Sequence, residues 1–158
     1  VVKAQQGPDL GTRMKMAMVE SFAAGHEQLV IIGTDHPTLP TAFIEQAFDA
    51  LEELLSICIG PSDDGGYYLL GMNDFYPQLF DDMLYSHPEV FGETMQRASG
   101  TRATLTILPI WYDIDTPESL RRLVADLAGK EGGAEQTRAV IADLQKVYAE
   151  LRADTVIP

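Results

Sequence analysis

Leu29-Val30-Ile31-Ile32-Gly33-Thr34-Asp35-His36-Pro37 is the stretch on which the fold turns. Its first four residues are continuously apolar, the pattern of a strand covered on both faces rather than wet on one. It is expected to be the most buried strand of its sheet. Residues 56–60 and 67–72 read as two more strands, and Leu105 and Ile107 alternate with Thr104 and Thr106 as in a strand with one wetter face. Helical spacing lies between and beyond them. Met14, Ala17, Met18 and Phe22 form one stripe, and Phe43, Ile44, Ala47, Phe48, Leu51 and Leu55 a second. Leu120, Leu123, Val124 and Leu127 form a third, and Val140, Ile141, Leu144, Val147, Tyr148 and Leu151 the last. Each stripe is expected to be a core face. Strand–helix alternation of this kind predicts a layered α/β domain with a mostly parallel sheet. The glycines at 129 and 132–133 mark a hinge, so residues 1–128 are expected to form the domain. Residues 129–158 then form a helical extension that packs on it or dimerises.

The chain has 158 residues, enough for one domain with a real core, and 46% of them are hydrophobic, which excludes a disordered chain. Eleven Lys and Arg stand against 24 Asp and Glu, a net charge of −13. Such a surface repels nucleic acid and anionic membrane, so neither is expected as a partner. A phosphate-bearing substrate needs a cation or backbone amides at its site. No apolar run approaches the ~18 residues of a membrane span. The single cysteine, Cys58, permits no intrachain disulfide, which fits a reducing cytoplasm. It sits in the apolar run Ile57-Cys58-Ile59 and reads as a buried hydrophobe. The start at Val1-Val2, inside a strand-like segment, is expected to be a cut.

In open α/β sheets ligands bind beyond the carboxyl ends of the strands, which singles out Gly33, Thr34 and Asp35. Gly33 permits close backbone approach, and Asp35 is a carboxylate at the strand mouth. Mg²⁺ commonly takes one or two carboxylates together with substrate phosphates, but an Asp before Pro37 also suits a turn. Both readings stand. His36 reads as a polar loop residue, and His26 and His87 lack partners at zinc-ligand spacing. Asp63-Asp64-Gly65-Gly66-Tyr67-Tyr68 is either a turn that needs positive φ or backbone lying against a ligand, with Asp64 near the reacting group. In Asp113-Ile114-Asp115-Thr116-Pro117-Glu118, Thr116 suits a helix N-cap, Pro117 the first helical position and Glu118 the positive end of the helix dipole. That logic leaves two acids before the cap unexplained.

Three segments in this order resemble one family: Gly33-Thr34-Asp35-x-Pro37-x-Leu39, Gly60-Pro61-x-x-Asp64-Gly65-Gly66-Tyr67-Tyr68-Leu69-Leu70-Gly71, and Asp113-Ile114-Asp115-Thr116-Pro117-Glu118-x-Leu120. They are similar to the DUF2064 group of bacterial GT-A-like glycosyltransferases, arsenosugar-type or radical-SAM-associated. Gln5-x-x-x-Asp9-Leu10-Gly11-x-Arg13-Met14 fits the same pattern, as does Tyr85-Ser86 followed by Val90 and Thr94, although the family often has tryptophan at the place of Tyr85. The resemblance runs from about residue 5 to about residue 124. It implies a Rossmann-like nucleotide-diphospho-sugar transferase fold lacking its N-terminal strand and phosphate loop. It implies a donor held by Mg²⁺ or Mn²⁺, with Asp35 and Asp115 as metal ligands and Asp113 the weaker choice. Gln5, Asp9, Gly11 and Arg13, with Gly33, Thr34, Gly65, Gly66 and Tyr67, would bind the nucleotide or substrate, and Asp64 would be catalytic.

The function expected is therefore transfer of a sugar from a nucleotide sugar to a small-molecule acceptor. The alternatives are nucleotidyl transfer from a nucleoside triphosphate with pyrophosphate release, and an inactive fragment that serves only as a binding or interaction module. A homodimer is compatible with each.

Overall fold

The computed structural model describes residues 2–129 and 133–154, arranged in two compact units. The first runs to Thr34 and resumes over Leu39–Asp113; the second comprises Asp35–Thr38 and the chain from Ile114. Numbered in chain order, the first unit holds α1 (Leu10–Ala23), β1 (Leu29–Ile32), α2 (Thr41–Ala50), β2 (Ser56–Pro61), β3 (Tyr67–Met72), α3 (Val90–Ser99) and β4 (Thr104–Ile107), with a 3-10 turn at Pro77–Leu79. The second holds α4 (Pro117–Ala128) and α5 (Glu135–Asp154).

The sheet order is β1-β3-β2-β4. β3 pairs antiparallel with both β1 and β2, and β2 pairs parallel with β4. Three of the four strands thus run the same way and β3 alone is reversed between two of them. β2 and β3 are joined by only five residues, too few for the crossover that parallel neighbours need, so a reversal is forced there. The carboxyl ends of β1, β2 and β4 consequently share one rim.

Side chains alternate into two core layers. Ile57, Ile59, Leu70 and Met72 face Met14 and Met18 of α1 and Ala98 of α3, with Leu29 and Ile31 at the margin. Cys58, Tyr68 and Leu69 face Ala47 of α2 and Leu51, with Val30 and Phe43 packed beside them. Fully burying each Leu or Ile contributes about 1.5–3 kcal/mol, so these two layers carry the unit. Burial pushes the Cys58 thiol up to about 11, which makes it the inert hydrophobe its neighbours suggested.

Several sequence expectations change. β1 is covered on both faces, but it is half-buried at one edge of the described sheet, and its last residue, Ile32, is 43% exposed; β2 and β3 are the buried strands. The apolar run reflects helices on both faces, not a central position. β4 is the other edge, where Ile107 is exposed, so its alternation is too weak to bury one face. α2 stops at Ala50, and Leu55 lies in a turn with φ of 56°. In α5, Val140 and Leu144 are exposed, so this part of the last stripe is not a core face. The side chains of Val147, Tyr148 and Leu151, and residues 130–132 of the hinge, lie outside those described. α3 escaped the sequence analysis as a helix, although Val90, Thr94 and Ala98, all buried, mark a stripe every four residues.

Asn73 ties the turn after α2 to the sheet. Its Oδ1 accepts from the Ser56 amide at 2.7 Å, and its Nδ2 donates to the carbonyls of Leu51, at 2.8 Å, and Glu53. Ser56 is buried, so its amide has no water to fall back on. Asn73→Ala is expected to cost about 2–3 kcal/mol in urea denaturation, the sum of lost bonds and a stranded donor. A loss below about 0.5 kcal/mol, the scale of an inert surface change, would show that the turn holds without it.

Candidate functional site

Beyond β1 the Gly33 amide donates to the Tyr68 carbonyl at 3.0 Å, which extends the ladder by one residue. Thr34 is exposed and ends the first unit. Asp35 then opens the second unit. There the Ile114 amide donates to the Asp35 carbonyl at 3.2 Å and holds the two segments together. This bond places the side chains of Asp35 and Asp115 side by side, with carboxylate oxygens within 4.8 Å of each other and both residues exposed.

Local chemistry accounts for the rigidity of each half. Thr116 caps α4 in a reciprocal box: Ser119 N donates to Thr116 Oγ1 at 3.1 Å and Thr116 N donates to Ser119 Oγ at 3.0 Å. Pro117 takes the first helical position, and Glu118 accepts from Arg121 at 2.7 Å, which lowers the Glu118 pKa. Asp115 is thereby fixed just before the positive end of a capped helix. On the other side His36 Nε2 lies 3.0 Å from Asp35 Oδ1, and the imidazole is only 5% exposed. His36, read from the sequence as a polar loop residue, lies in a loop with its ring enclosed.

Two exposed carboxylates this close repel one another by about 1 kcal/mol in a water-like medium. A hard divalent cation reverses that sign. Its bonds to oxygen are about 2.1 Å for Mg²⁺, so opposed ligands lie about 4.2 Å apart, and the separation here accommodates them. The donors are oxygens with no thiolate, which suits Mg²⁺ or Mn²⁺ over zinc. Asp113, the weaker choice, is partly buried in the first unit, where Ser62 Oγ donates to its Oδ1 at 3.5 Å.

In the turn between β2 and β3, Asp64 is exposed and its Oδ1 accepts from the Gly66 amide at 2.8 Å. Gly65 has φ of 92°, and a Cβ there would meet the Pro88 carbonyl oxygen at 2.0 Å. The Phe91 amide, in the first turn of α3, donates to the Gly65 carbonyl at 2.8 Å. The close approach that Gly65 makes is therefore to the chain itself. Tyr67 is buried at its hydroxyl, and burial, with Tyr85 beside it, raises its pKa well above the usual phenol range.

At the N-terminal segment, Asp9 caps α1, accepting from Thr12 N and Thr12 Oγ1 at 2.8 Å, and these bonds lower its pKa. Gly11 is buried against the Tyr85 ring, which a Cβ would meet at 2.5 Å. Gln5 and Arg13 line an open cleft of about 550 Å³ with Lys3, Met16, Glu20 and His26; Asp9 and Gly11 do not. Arg13 Nε donates to the Gly7 carbonyl at 3.0 Å. No helix among the described residues is long and apolar enough to cross a membrane.

Residues 1–87 match the family described as "Uncharacterized protein conserved in bacteria (DUF2064)". Among solved structures, the chain is similar to a "putative nucleotide-diphospho-sugar transferase" from Desulfovibrio desulfuricans G20, at 38% identity and a TM-score of 0.68. That similarity covers 72% of this chain and 49% of the other, so the chain spans about half of that protein's length. No curated protein matches significantly. The fold is accordingly that of the nucleotide-diphospho-sugar transferases, a Rossmann-like α/β architecture. Because the family match takes in more than half of the residues, including Asp35 and the Asp64-Gly65-Gly66 turn, this chain belongs to the DUF2064 family.

Proposed function

We propose that the protein transfers a sugar from a nucleotide-diphosphate donor to a hydroxyl of a small-molecule acceptor, in a reaction that needs Mg²⁺ or Mn²⁺. The pairing of the Asp35 and Asp115 carboxylates within 4.8 Å carries this reading. The likeness to a protein described as a "putative nucleotide-diphospho-sugar transferase" suggests the substrate class. A diphosphate meets a chain of net charge −13, so its own charge must be met locally. When bound, the cation would supply that charge and stabilise the leaving diphosphate.

The bond from the sugar's anomeric carbon to the diphosphate oxygen breaks, and the acceptor oxygen takes its place. The nucleoside diphosphate leaves with the bonding electrons, and the hydroxyl proton passes to a base. Asp64 is assigned that role: it is exposed, and the Gly66 amide fixes its orientation through one oxygen. Gln5 and Arg13 are assigned to the nucleotide, since they share the cleft. Asp9, Gly11, Gly33, Thr34, Gly65, Gly66 and Tyr67 are assigned to shaping the donor site around them.

The test is a set of nucleotide sugars and nucleoside triphosphates incubated with the full-length protein, acceptor mixtures and Mn²⁺. Metal-dependent release of nucleoside diphosphate from a sugar donor is the expected result. Pyrophosphate release from a triphosphate would replace glycosyl transfer with nucleotidyl transfer. Absence of turnover and of nucleotide binding across the set would make the protein a non-catalytic module.

A further inference from the structure

Between Leu84 and Glu89 the chain folds back on the ring of His87. Nδ1 lies 3.0 Å from a Glu89 carboxylate oxygen, and Nε2 lies 3.1 Å from the Leu84 carbonyl oxygen. A carboxylate and a carbonyl only accept, so both contacts are hydrogen bonds only when both nitrogens carry hydrogen, as in the imidazolium. A neutral ring has one N–H and gives up one of the two partners. If Nδ1 then accepts from the Glu89 amide, 3.3 Å away, its lone pair also faces the carboxylate. The charges that reach the ring are carboxylates: Glu89, the N-cap residue of α3, and Glu93, in the first turn of that helix. The hydrogen bond to Glu89, helped by the Leu84 carbonyl and Glu93 and opposed by desolvation, raises the pKa of His87 above the ordinary histidine value.

We infer that His87 is a positioning residue, whose charged ring closes the 84–89 segment and so keeps Pro88 against the turn that orients Asp64. The inference rests on the role of base proposed for Asp64 and adds a pH-dependent control to it. Pro88 follows the ring directly, and its carbonyl oxygen would stand 2.0 Å from a Cβ on Gly65. Three residues on, the Phe91 amide donates to the Gly65 carbonyl at 2.8 Å. The neighbouring Gly66 donates its amide to Asp64 Oδ1 at 2.8 Å. The turn is thus held by residues 88–91 on one side and holds the Asp64 carboxylate on the other. Ser86, just before the ring, has φ of 67°, a costly conformation for a residue with a side chain, and a tie across the segment offsets that cost. Because the folded pKa is raised, the tie contributes fully below about pH 6.5, the ordinary histidine value, and is lost as pH rises through the higher folded value.

The experiment titrates the His87 ring by NMR in the full-length protein. It follows the Gly66 and Phe91 amides by solvent exchange, corrected for the intrinsic rate at each pH. Neither readout needs turnover. In wild type, protection of both amides is expected to fall by about two- to fivefold as the ring deprotonates, the scale of a part-exposed charge pair. Glu89→Gln removes the carboxylate and is expected to move the transition to lower pH. His87→Gln keeps one donor but does not titrate, and is expected to abolish it. If that variant does not fold, the shift in Glu89→Gln decides. Amide protection that ignores the titration of His87, a transition that persists in His87→Gln, or a His87 pKa unmoved by Glu89→Gln would overturn the inference. Asp64→Asn keeps the oxygen that accepts from Gly66 and tests the base separately. If turnover of a sugar donor survives in that variant, the role of Asp64 as base fails, while the amides still decide whether His87 holds the turn.

Discussion

Asp35→Ala in the full-length protein is expected to weaken Mn²⁺-dependent nucleotide binding by about 100-fold or more, since it removes a ligand rather than a ligand's support. Asp115→Ala should do the same, because the two carboxylates lie within 4.8 Å and either alone is an ordinary surface acid. Neither should unfold the protein. Both residues are exposed, and removing one of two like charges offsets part of what is lost with the contact to His36. The clearest readout is linkage. A metal that binds only the folded state raises the melting temperature as its concentration exceeds the dissociation constant, by about 2.7 kcal/mol of stability at a hundredfold excess. Wild type should show that rise with Mn²⁺ and nucleotide together, and each alanine variant should lose it. Isothermal titration with Mn²⁺ then reads the affinities directly. Wild-type nucleotide affinity in both variants at saturating metal would reduce Asp35 to a turn residue and Asp115 to the residue before a helix cap.

Gly65→Ala is expected to be strongly destabilising. Two costs add. At φ of 92° an L side chain is strained, by about 1–2 kcal/mol. The new methyl would also stand 2.0 Å from the Pro88 carbonyl oxygen and 2.7 Å from its carbon, and these are backbone atoms that cannot rotate away. Relief requires parting the turn from the segment that starts α3, which breaks the bond from the Phe91 amide to the Gly65 carbonyl. The sum is about 3 kcal/mol or more. Gly92→Ala is the matched control, on the helix that Gly65 helps to cap. Nothing lies within 4 Å of a Cβ there, so relief of backbone entropy in a helix should stabilise by about 0.5–1 kcal/mol. Chemical denaturation of both variants checks the opposite signs. A Gly65→Ala variant as stable as wild type would mean that the turn and α3 part freely. The position would then be constrained only by a ligand.

Much of this protein was legible as a string of residues. Thr116-Pro117-Glu118 announced the start of α4, because capping is a local hydrogen-bond problem solved by neighbours in sequence. The runs at Leu29–Ile32 and Ser56–Pro61 were readable as strands, and the spacing from Phe43 to Leu51 as a helix, because periodicity records which faces are buried. α3 was the exception, hidden by Gly92, Glu93 and Arg97 between its buried positions.

Sequence alone determined the layered α/β class, the acidic character that requires local positive charge for a phosphate ligand, and the two carboxylate-bearing segments worth testing. Only the tertiary structure decided the rest. Strand order cannot be read from apolarity, because helices on both faces give β1, at an edge of the described sheet, the same pattern as a central strand. Gly65 is explained by Pro88, and Gly11 by the ring of Tyr85, neighbours that only folding supplies. Asp35 and Asp115 are distant in the chain, and the backbone bond from Ile114 to Asp35 that joins their segments forms only once both are placed. A side chain declares its chemistry by type, but its partner is a matter of three-dimensional position, and no local pattern encodes that.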